Sequence, residues 1–111
     1  MAKRVMPVPD GLNEMTQEEL CLVLRHHKLF VLTRGRKGIE ADLSGYNLSG
    51  LSFERATLNG IDFRGSWLQD CNFNFATLED CNFENCWVEG STSFSTRFAN
   101  ANIGGTLWDQ E

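Results

Sequence analysis

The stretch from Ala41 to Gly65 reads ADLSG, YNLSG, LSFER, ATLNG, IDFRG, which is five consecutive pentads with a large apolar residue at each centre. The pattern continues to Gln110 as fourteen pentads, and thirteen of their fourteen central residues are large and apolar. These central residues are Leu43, Leu48, Phe53, Leu58, Phe63, Leu68, Phe73, Leu78, Phe83, Val88, Ser93, Phe98, Ile103 and Trp108. A period of five fits neither an α-helix nor a simple strand, because their side chains repeat every 3.6 and every 2 residues.

Most pentads also begin with a small residue, such as Ala41, Cys71 or Ala76. A chain that turns a corner every five residues sends one large and one small side chain inward from each side. Four such sides make a squared coil of about twenty residues, and successive coils stack at the strand spacing of about 4.8 Å. The period therefore predicts a column filled with Leu and Phe side chains.

These pentads resemble the pentapeptide-repeat family, whose consensus is close to A(D/N)LXX. ADLSG at residues 41–45 matches the consensus outright, and YNLSG, CNFNF, CNFEN and ANIGG match it with ordinary substitutions. The resemblance covers residues 41–110 and implies the family fold, a right-handed quadrilateral β-helix. We therefore predict a mainly β protein with about 3.5 coils in residues 41–111. Residues 1–40 form an N-terminal extension with a capping helix, within a single folded unit.

The capping helix is predicted from residues 16–35. Thr16 and Glu19 have the spacing of a capping box, and Gly35 supplies a stop. Apolar or buried-type residues then follow at helical spacing, namely Leu20, Val23, Leu24, His27 and Val31. The run HKLFVLTRGRKGIEADLSG is also similar to a leader that precedes many bacterial and phage repeats of this family. Because the end of a β-helix exposes strand edges and apolar rings, we expect the helix to lie across the first coil.

Two local features of the repeats carry further predictions. Ser93 replaces an apolar centre and is followed by Phe94, so we predict a bulge near residues 91–96 that turns Phe94 inward. Cys71, Cys81 and Cys86 all stand first in their pentads and lack the paired spacing of a zinc site. We expect these thiols to act as small packing residues.

The sequence offers no constellation of catalytic or metal-binding residues. His26 and His27 have no cysteine or carboxylate at ligand spacing, and no glycine-rich loop opens a helix. We therefore expect no enzyme activity, no cofactor and no metal.

No stretch has the roughly 18 to 20 apolar residues of a membrane span, and Lys3 and Arg4 lead into prolines instead of a signal-peptide core. These features predict a cytoplasmic protein that is not bound to a membrane, and the resemblance to bacterial and phage repeat proteins implies a bacterial host cell.

The charge of the chain is unevenly distributed. The formal net charge is −5, with +2 in residues 1–40 and −7 in residues 41–111. Direct binding of nucleic acid needs a basic surface, so the acidic repeat tract argues against it.

Outward residues twenty positions apart are expected to form ladders. One ladder contains Asn47, Trp67, Trp87 and Leu107, and the stretch from Ser66 to Gly90 contains five acids but no Lys or Arg. Outward tryptophans beside acids are typical of a partner-binding surface. The predicted site consists of Asp62, Trp67, Asp70, Glu79, Asp80, Glu84, Trp87 and Glu89.

The resemblance implies a function as a DNA mimic, because some members of the family occupy the DNA site of DNA gyrase. Fourteen pentads give a rod of only about 17 Å, which is considerably shorter than the members of the family that protect gyrase. The length therefore favours a target whose DNA channel is narrower than that of gyrase. The leading hypothesis is therefore an inhibitor of a bacterial DNA-binding machine, either a phage-type anti-CRISPR protein that blocks an interference complex or a modulator of DNA gyrase. The alternative is a structural or adaptor module that binds a protein partner through Trp67 and Trp87. Leu107 and Trp108 stand in the last pentad. They are compatible with an end-to-end homodimer and equally with a monomer in which Trp108 covers its own column.

Overall fold

The computed structural model describes residues 8–102. Its elements, in chain order, are the strand β1 (Asn13–Glu14), the helix α1 (Gln17–Leu32) and the strand β2 (Tyr46–Asn47). Beyond β2 the backbone pairs through single bridges, because each side of the coil contributes about one paired residue before the next corner. Little of the chain therefore counts as extended sheet, although it pairs regularly.

Parallel bridges join residues twenty positions apart from Asp42 to Asn102. They are Asp42–Asp62, Asn47–Trp67, Ser52–Asn72, Thr57–Thr77, Asp62–Asn82, Trp67–Trp87, Asn72–Thr92, Thr77–Arg97 and Asn82–Asn102. Backbone bonds accompany each bridge, such as Leu43 N–H to Asp62 O at 2.9 Å. The predicted coil of twenty residues is thus confirmed over the described part. The predicted final half coil lies almost entirely outside the described residues, and the right-handed sense remains a prediction.

Each coil has four sides, which we call walls 1 to 4. Wall 1 contains residues 41–45, 61–65 and 81–85, wall 2 contains 46–50, 66–70 and 86–90, wall 3 contains 51–55, 71–75 and 91–95, and wall 4 contains 56–60, 76–80 and 96–100.

The corners between walls are formed by the fifth residue of each pentad. All twelve fifth residues from Gly45 to Asn100 have a φ between 55° and 84°. Glycine adopts this left-handed conformation without strain, and Asn and Asp tolerate it better than other residues do. Five of the twelve are glycines and four are Asn or Asp, so the composition of the fifth position explains why the chain turns there.

The core is a column of central side chains. From Leu43 to Val88 every central residue is at most 1% exposed. Phenylalanines of walls 1 and 3 meet across the column, since Phe63 and Phe73 lie edge to face at 6.3 Å. Along each wall the rings stack, with Phe53 and Phe73 at 4.7 Å. Full burial of one such side chain contributes about 1.5 to 3 kcal/mol to stability.

The predicted packing role of the three repeat cysteines is confirmed. Cys71, Cys81 and Cys86 are buried at the first position of their pentads and are free thiols. Their Sγ atoms lie 3.1, 2.9 and 2.7 Å from backbone carbonyl oxygens of the preceding coil. A thiol therefore fills the small inward position and also donates to an otherwise unused acceptor lone pair.

The predicted bulge at residues 91–96 is wrong. Thr92 keeps its bridge to Asn72, and the carbonyl oxygen of Phe94 accepts the N–H of Phe75 at 2.8 Å. Phe94 points outward and is 64% exposed. A shift of one residue would have sacrificed these backbone bonds, and their loss outweighs the burial of one ring at the end of the column.

The helix α1 begins at the predicted capping box, but it ends at Leu32, three residues before the predicted stop at Gly35. The Thr16 side chain accepts the N–H of Glu19, and the Glu19 carboxylate accepts the N–H of Thr16. After the last turn, the N–H of Gly35 donates to Phe30 O at 2.8 Å. Leu20 is fully buried and belongs to the same core as the coil. The helix therefore covers the open end of the column, as predicted.

Two further contacts fix α1 to the first coil. The Gln17 amide both donates to Ser52 O, at 3.0 Å, and accepts from Ser52 N, at 2.7 Å. Before the helix, β1 pairs in parallel with β2, with Asn13 opposite Tyr46 and Glu14 opposite Asn47. The sequence did not predict β1, because two residues are too short for a detectable alternation. It adds a partial rung above wall 2.

Candidate interaction surfaces

The predicted tryptophan ladder lies on wall 2. Trp67 bridges both Asn47 and Trp87, and the two indole rings stack at 5.4 Å between centroids with 14° between their planes. Both side chains are half-buried, and the Nε1 of Trp67 is buried without a hydrogen-bond partner among residues 8–102. The stack therefore exposes less apolar surface than two fully exposed indole rings would.

The six predicted acidic residues lie on three walls. Asp62 and Glu84 are on wall 1, Asp70 and Glu89 on wall 2, and Glu79 and Asp80 on wall 4. The reason is geometric, because residues five positions apart occupy successive walls. A run of acids in the sequence is thus wrapped around the coil, and its charge faces several directions. Only the pairs that share a wall lie on the same side.

Asp62 and Glu79 each lie close to an arginine of the described residues. Arg64 binds Asp62 through both Nε and Nη2, with a shortest distance of 2.7 Å. The hydrogen bonds from Arg64 hold the pKa of Asp62 below its usual value, against the opposing effect of its partial burial. Glu79 lies 4.0 Å from Arg97 and also receives a weak bond of 3.5 Å from the Asn59 amide. Part of the acidity is therefore locally neutralised.

A cluster that the sequence analysis missed lies at the corner between walls 3 and 4. We call Arg55, Phe75 and Phe94 the aromatic corner. The two phenyl rings meet edge to face at 5.6 Å, and the Arg55 guanidinium carbon lies 4.7 Å from the centroid of Phe75. The signal was present in the sequence, since arginine and phenylalanine occupy fifth positions that elsewhere favour Gly, Asn or Asp.

The repeated geometry has a counterpart among known families. A family model described as "Pentapeptide repeats (9 copies)" matches residues 43–87. Residues 43–87 are pentapeptide repeats. No curated protein matched the sequence.

Two solved pentapeptide-repeat structures are similar to this chain. One is Rfr23 from the cyanobacterium Cyanothece 51142, with 20% identity and a TM-score of 0.38, where the match covers 68% of this chain and 69% of that one. The other is HetL from Nostoc sp. strain PCC 7120, a protein involved in the regulation of heterocyst differentiation. It has 14% identity and a TM-score of 0.32, and the match covers 60% of this chain but only 44% of HetL.

The thiols of the pentapeptide repeats are shielded from solvent. Burial raises the pKa of Cys71 and of Cys81 to about 12, and it also raises the pKa of Cys86. Because the thiolate is the reactive form, these residues are poor nucleophiles. Cys21 on α1 is exposed.

The two histidines have different positions. His27 is fully buried and bonded to the backbone of the first coil. His26 is exposed at a cavity of about 240 Å³ between α1 and the first coil, which Met15, Val23 and Tyr46 also line.

Within residues 8–102, no three His, Cys, Asp or Glu side chains form a group that could hold a metal ion. No helix in that range is long and apolar enough to cross a membrane.

Proposed function

We propose that the protein is a non-enzymatic binding module that mimics DNA and occupies the DNA-binding site of a bacterial protein. One observation carries the proposal: acids exceed arginines on walls 1, 2 and 4, whereas wall 3 has one of each. Three sides of the rod therefore present a negative field to a basic groove. Such a field steers association with a positively charged site.

The density of carboxylates along the rod, before the arginines are subtracted, is comparable with the density of phosphates along DNA. Eight carboxylates lie on the three described coils, namely Asp42, Glu54, Asp62, Asp70, Glu79, Asp80, Glu84 and Glu89. Three coils span about 14 Å, which gives one carboxylate per about 1.8 Å. Duplex DNA carries one charge per roughly 1.7 Å. After subtraction of Arg55, Arg64 and Arg97 the spacing rises to about 3 Å per net charge, so the mimicry is partial in charge.

The three described coils span about 14 Å, which suits a narrow DNA channel. The proposed target is therefore the DNA entry of a CRISPR interference complex, in the manner of a phage-type anti-CRISPR protein. DNA gyrase is the second target of the same kind. In both cases the rod binds protein and does not bind nucleic acid directly, since its walls would repel phosphates.

The fourth-position glutamates supply a matched test. Glu54, Glu79, Glu84 and Glu89 occupy equivalent positions on walls 3, 4, 1 and 2. Each is changed singly to lysine, and competition with duplex DNA is measured on a purified interference complex and on gyrase. We expect the changes at Glu79, Glu84 and Glu89 to weaken competition several-fold and the change at Glu54 to have little effect. Equal effects at all four positions, or no competition by the unaltered protein on either target, would reject the proposal.

A second candidate function is an adaptor that binds its partner through wall 2. The stack of Trp67 on Trp87 favours it, because tryptophan is enriched among residues that dominate binding energy. Salt separates the two functions. Binding of a DNA mimic should weaken steeply as salt rises, whereas tryptophan packing should change little, because only the charged contacts are screened.

A further inference from the structure

We propose that the aromatic corner is a docking site for a peptide segment of a partner protein in which an aliphatic or aromatic side chain stands beside a carboxylate. This site is independent of the DNA mimicry, because it lies on the part of the coil that contributes no net negative charge. Its three residues come from successive coils, with Arg55, Phe75 and Phe94 in that order along the rod.

The apolar part of the site is the pair of phenyl rings. Phe94 is 64% exposed and Phe75 is 40% exposed. The backbone beneath them is well fixed, since Phe94 N–H donates to the Asn74 side chain at 2.8 Å and Phe75 N–H donates to Phe94 O at 2.8 Å. Two adjoining exposed rings on a rigid backbone offer an apolar partner a surface that needs little ordering.

The charged part of the site is the guanidinium of Arg55. It lies 4.7 Å from the Phe75 ring centroid, and no carboxylate among the described residues lies within 4.0 Å of it, although Glu54 precedes it in the chain. The other two arginines of the coil behave differently, since Arg64 binds Asp62 and Arg97 lies near Glu79. Arg55 is thus available for a bidentate bond to a partner carboxylate.

The backbone gives an independent argument that these side chains serve a surface role. Arg55 and Phe75 have φ values of 60° and 63°. A bulky residue in the left-handed region is strained, and strain at an exposed position is typical of functional sites. Glycine, Asn or Asp would adopt the same backbone conformation with less strain, as they do at the next corner in Gly60, Asp80 and Asn100. The bulky residues therefore lower the stability of the fold, and they form the exposed cluster.

The surroundings favour a peptide over a nucleic acid. Aromatic rings beside an arginine could also stack bases, but Asp70 stands at the corner where wall 3 begins, and Glu79 and Asp80 lie on wall 4. A strand with one phosphate per nucleotide would be repelled by these acids along its length. A single carboxylate can reach Arg55 while its apolar neighbour packs on the phenyl rings.

The test uses random peptides displayed on phage and selected on the immobilised full-length protein. The best peptides are synthesised, and their dissociation constants are measured for the unaltered protein and for Arg55→Gly, Phe75→Asn and Phe94→Ser. Gly and Asn already occupy equivalent corners, so the first two variants retain a suitable backbone. We expect peptides that combine Asp or Glu with an adjacent apolar residue, and about tenfold weaker binding by each variant. Asn85→Gly, a corner change on wall 1, is the control that leaves binding unchanged.

A second measurement identifies the role of Arg55. Replacement of the peptide carboxylate by the amide should weaken binding to the unaltered protein but not to Arg55→Gly. The proposal is overturned if no peptide is enriched, if the enriched peptides are rich in Lys and Arg, or if they bind Phe94→Ser as well as the unaltered protein. It is also overturned if a labelled oligothymidylate binds the protein and loses its affinity in Phe94→Ser, because the corner would then be a base-stacking platform.

Discussion

The Nε2 atom of His27 lies 2.7 Å from the carbonyl oxygen of Asn59, while its Nδ1 atom accepts the backbone N–H of Ala41 at 3.0 Å. These two partners specify a neutral ring with its proton on Nε2. The side chain is fully buried, so it joins α1 to the first coil through two bonds that water does not compete for. A residue that could be mistaken for a catalytic or metal-binding histidine is therefore part of the cap.

The first prediction concerns this junction. His27→Phe keeps an aromatic ring but leaves the Ala41 N–H and the Asn59 carbonyl without their partner. Each unsatisfied buried group costs about 1 to 3 kcal/mol, so we expect the free energy of unfolding to fall by about 2 to 6 kcal/mol. Urea denaturation followed by circular dichroism measures it. His26→Phe, at the neighbouring exposed position, should change stability little, and equal losses in the two variants would contradict the role of His27.

The second prediction separates backbone strain from steric overlap at two glycines. At Gly60 the φ is 80°, and an added Cβ would meet no atom within 4 Å. Gly60→Ala should therefore cost only the left-handed conformation, about 1 to 2 kcal/mol. At Gly38 the φ is 81°, but the Cβ would also lie 2.3 Å from His26 O and 2.5 Å from Phe30 N. Gly38→Ala should be clearly more destabilising in thermal unfolding. Similar melting temperatures for the two variants would contradict the close approach of Gly38 to the backbone of the helix.

The third prediction compares an inward with an outward phenylalanine. Phe73→Ala removes a ring that is 0% exposed, and it should cost about 3 to 5 kcal/mol. Phe94→Ala removes a ring that is 64% exposed, and its cost should stay below about 1 kcal/mol. Denaturant unfolding of both variants measures the difference. If Phe94→Ala were as destabilising as Phe73→Ala, Phe94 would have to point into the column.

The fourth prediction concerns the reactivity of the thiols. A thiol with a pKa of about 12, as in Cys71 and Cys81, has about a thousandfold less thiolate at pH 8 than one with the ordinary value of 9.0. In the folded protein only Cys21 should react rapidly with a thiol reagent, and the other three should react at the rate of unfolding. Cys21→Ser should abolish the rapid phase. More than one rapidly reacting thiol would show that the column opens locally.

The same pKa values predict a loss of stability at high pH. Above pH 9 the thiols ionise in the unfolded chain but remain protonated in the folded one, so the unfolded state binds fewer protons and becomes favoured. Between pH 9 and about 12, each pH unit should lower the free energy of unfolding by up to about 1.4 kcal/mol for Cys71 and for Cys81. The double variant Cys71→Ala, Cys81→Ala should have a correspondingly flatter pH profile. An unchanged slope would exclude these thiols as its source.

Much of the fold followed from the sequence, because the period of five determines which residues face inward. The central residues of the pentads from Leu43 to Val88 are buried as predicted, and Thr16 and Glu19 form the predicted capping box. The direction of Phe94 was mispredicted, because the pattern of side chains was given more weight than the backbone bonds that hold the register. Those bonds tie the backbone of Thr92 and Phe94 to the preceding coil, whereas one apolar ring contributes a single contact surface.

The candidate site was less predictable. Trp67 and Trp87 stack as the ladder predicts, because residues twenty positions apart must be neighbours. The acids were predicted from their closeness in sequence, and the coil distributes them over three walls. Arg55 and Phe75 of the aromatic corner are twenty residues apart, and both are unusual at the fifth position of a pentad. Only these two observations together would have indicated the aromatic corner.

The closure of each coil by four corners also sets a rule for how this surface can change in evolution. Gain or loss of one pentad would turn every later residue by a quarter of a revolution, so that indoles, carboxylates and phenyl rings would acquire new neighbours while the buried pattern stayed intact. Gain or loss of four pentads would alter only the length of the rod. Small insertions are thus the drastic changes for recognition in this architecture, and large ones can be conservative.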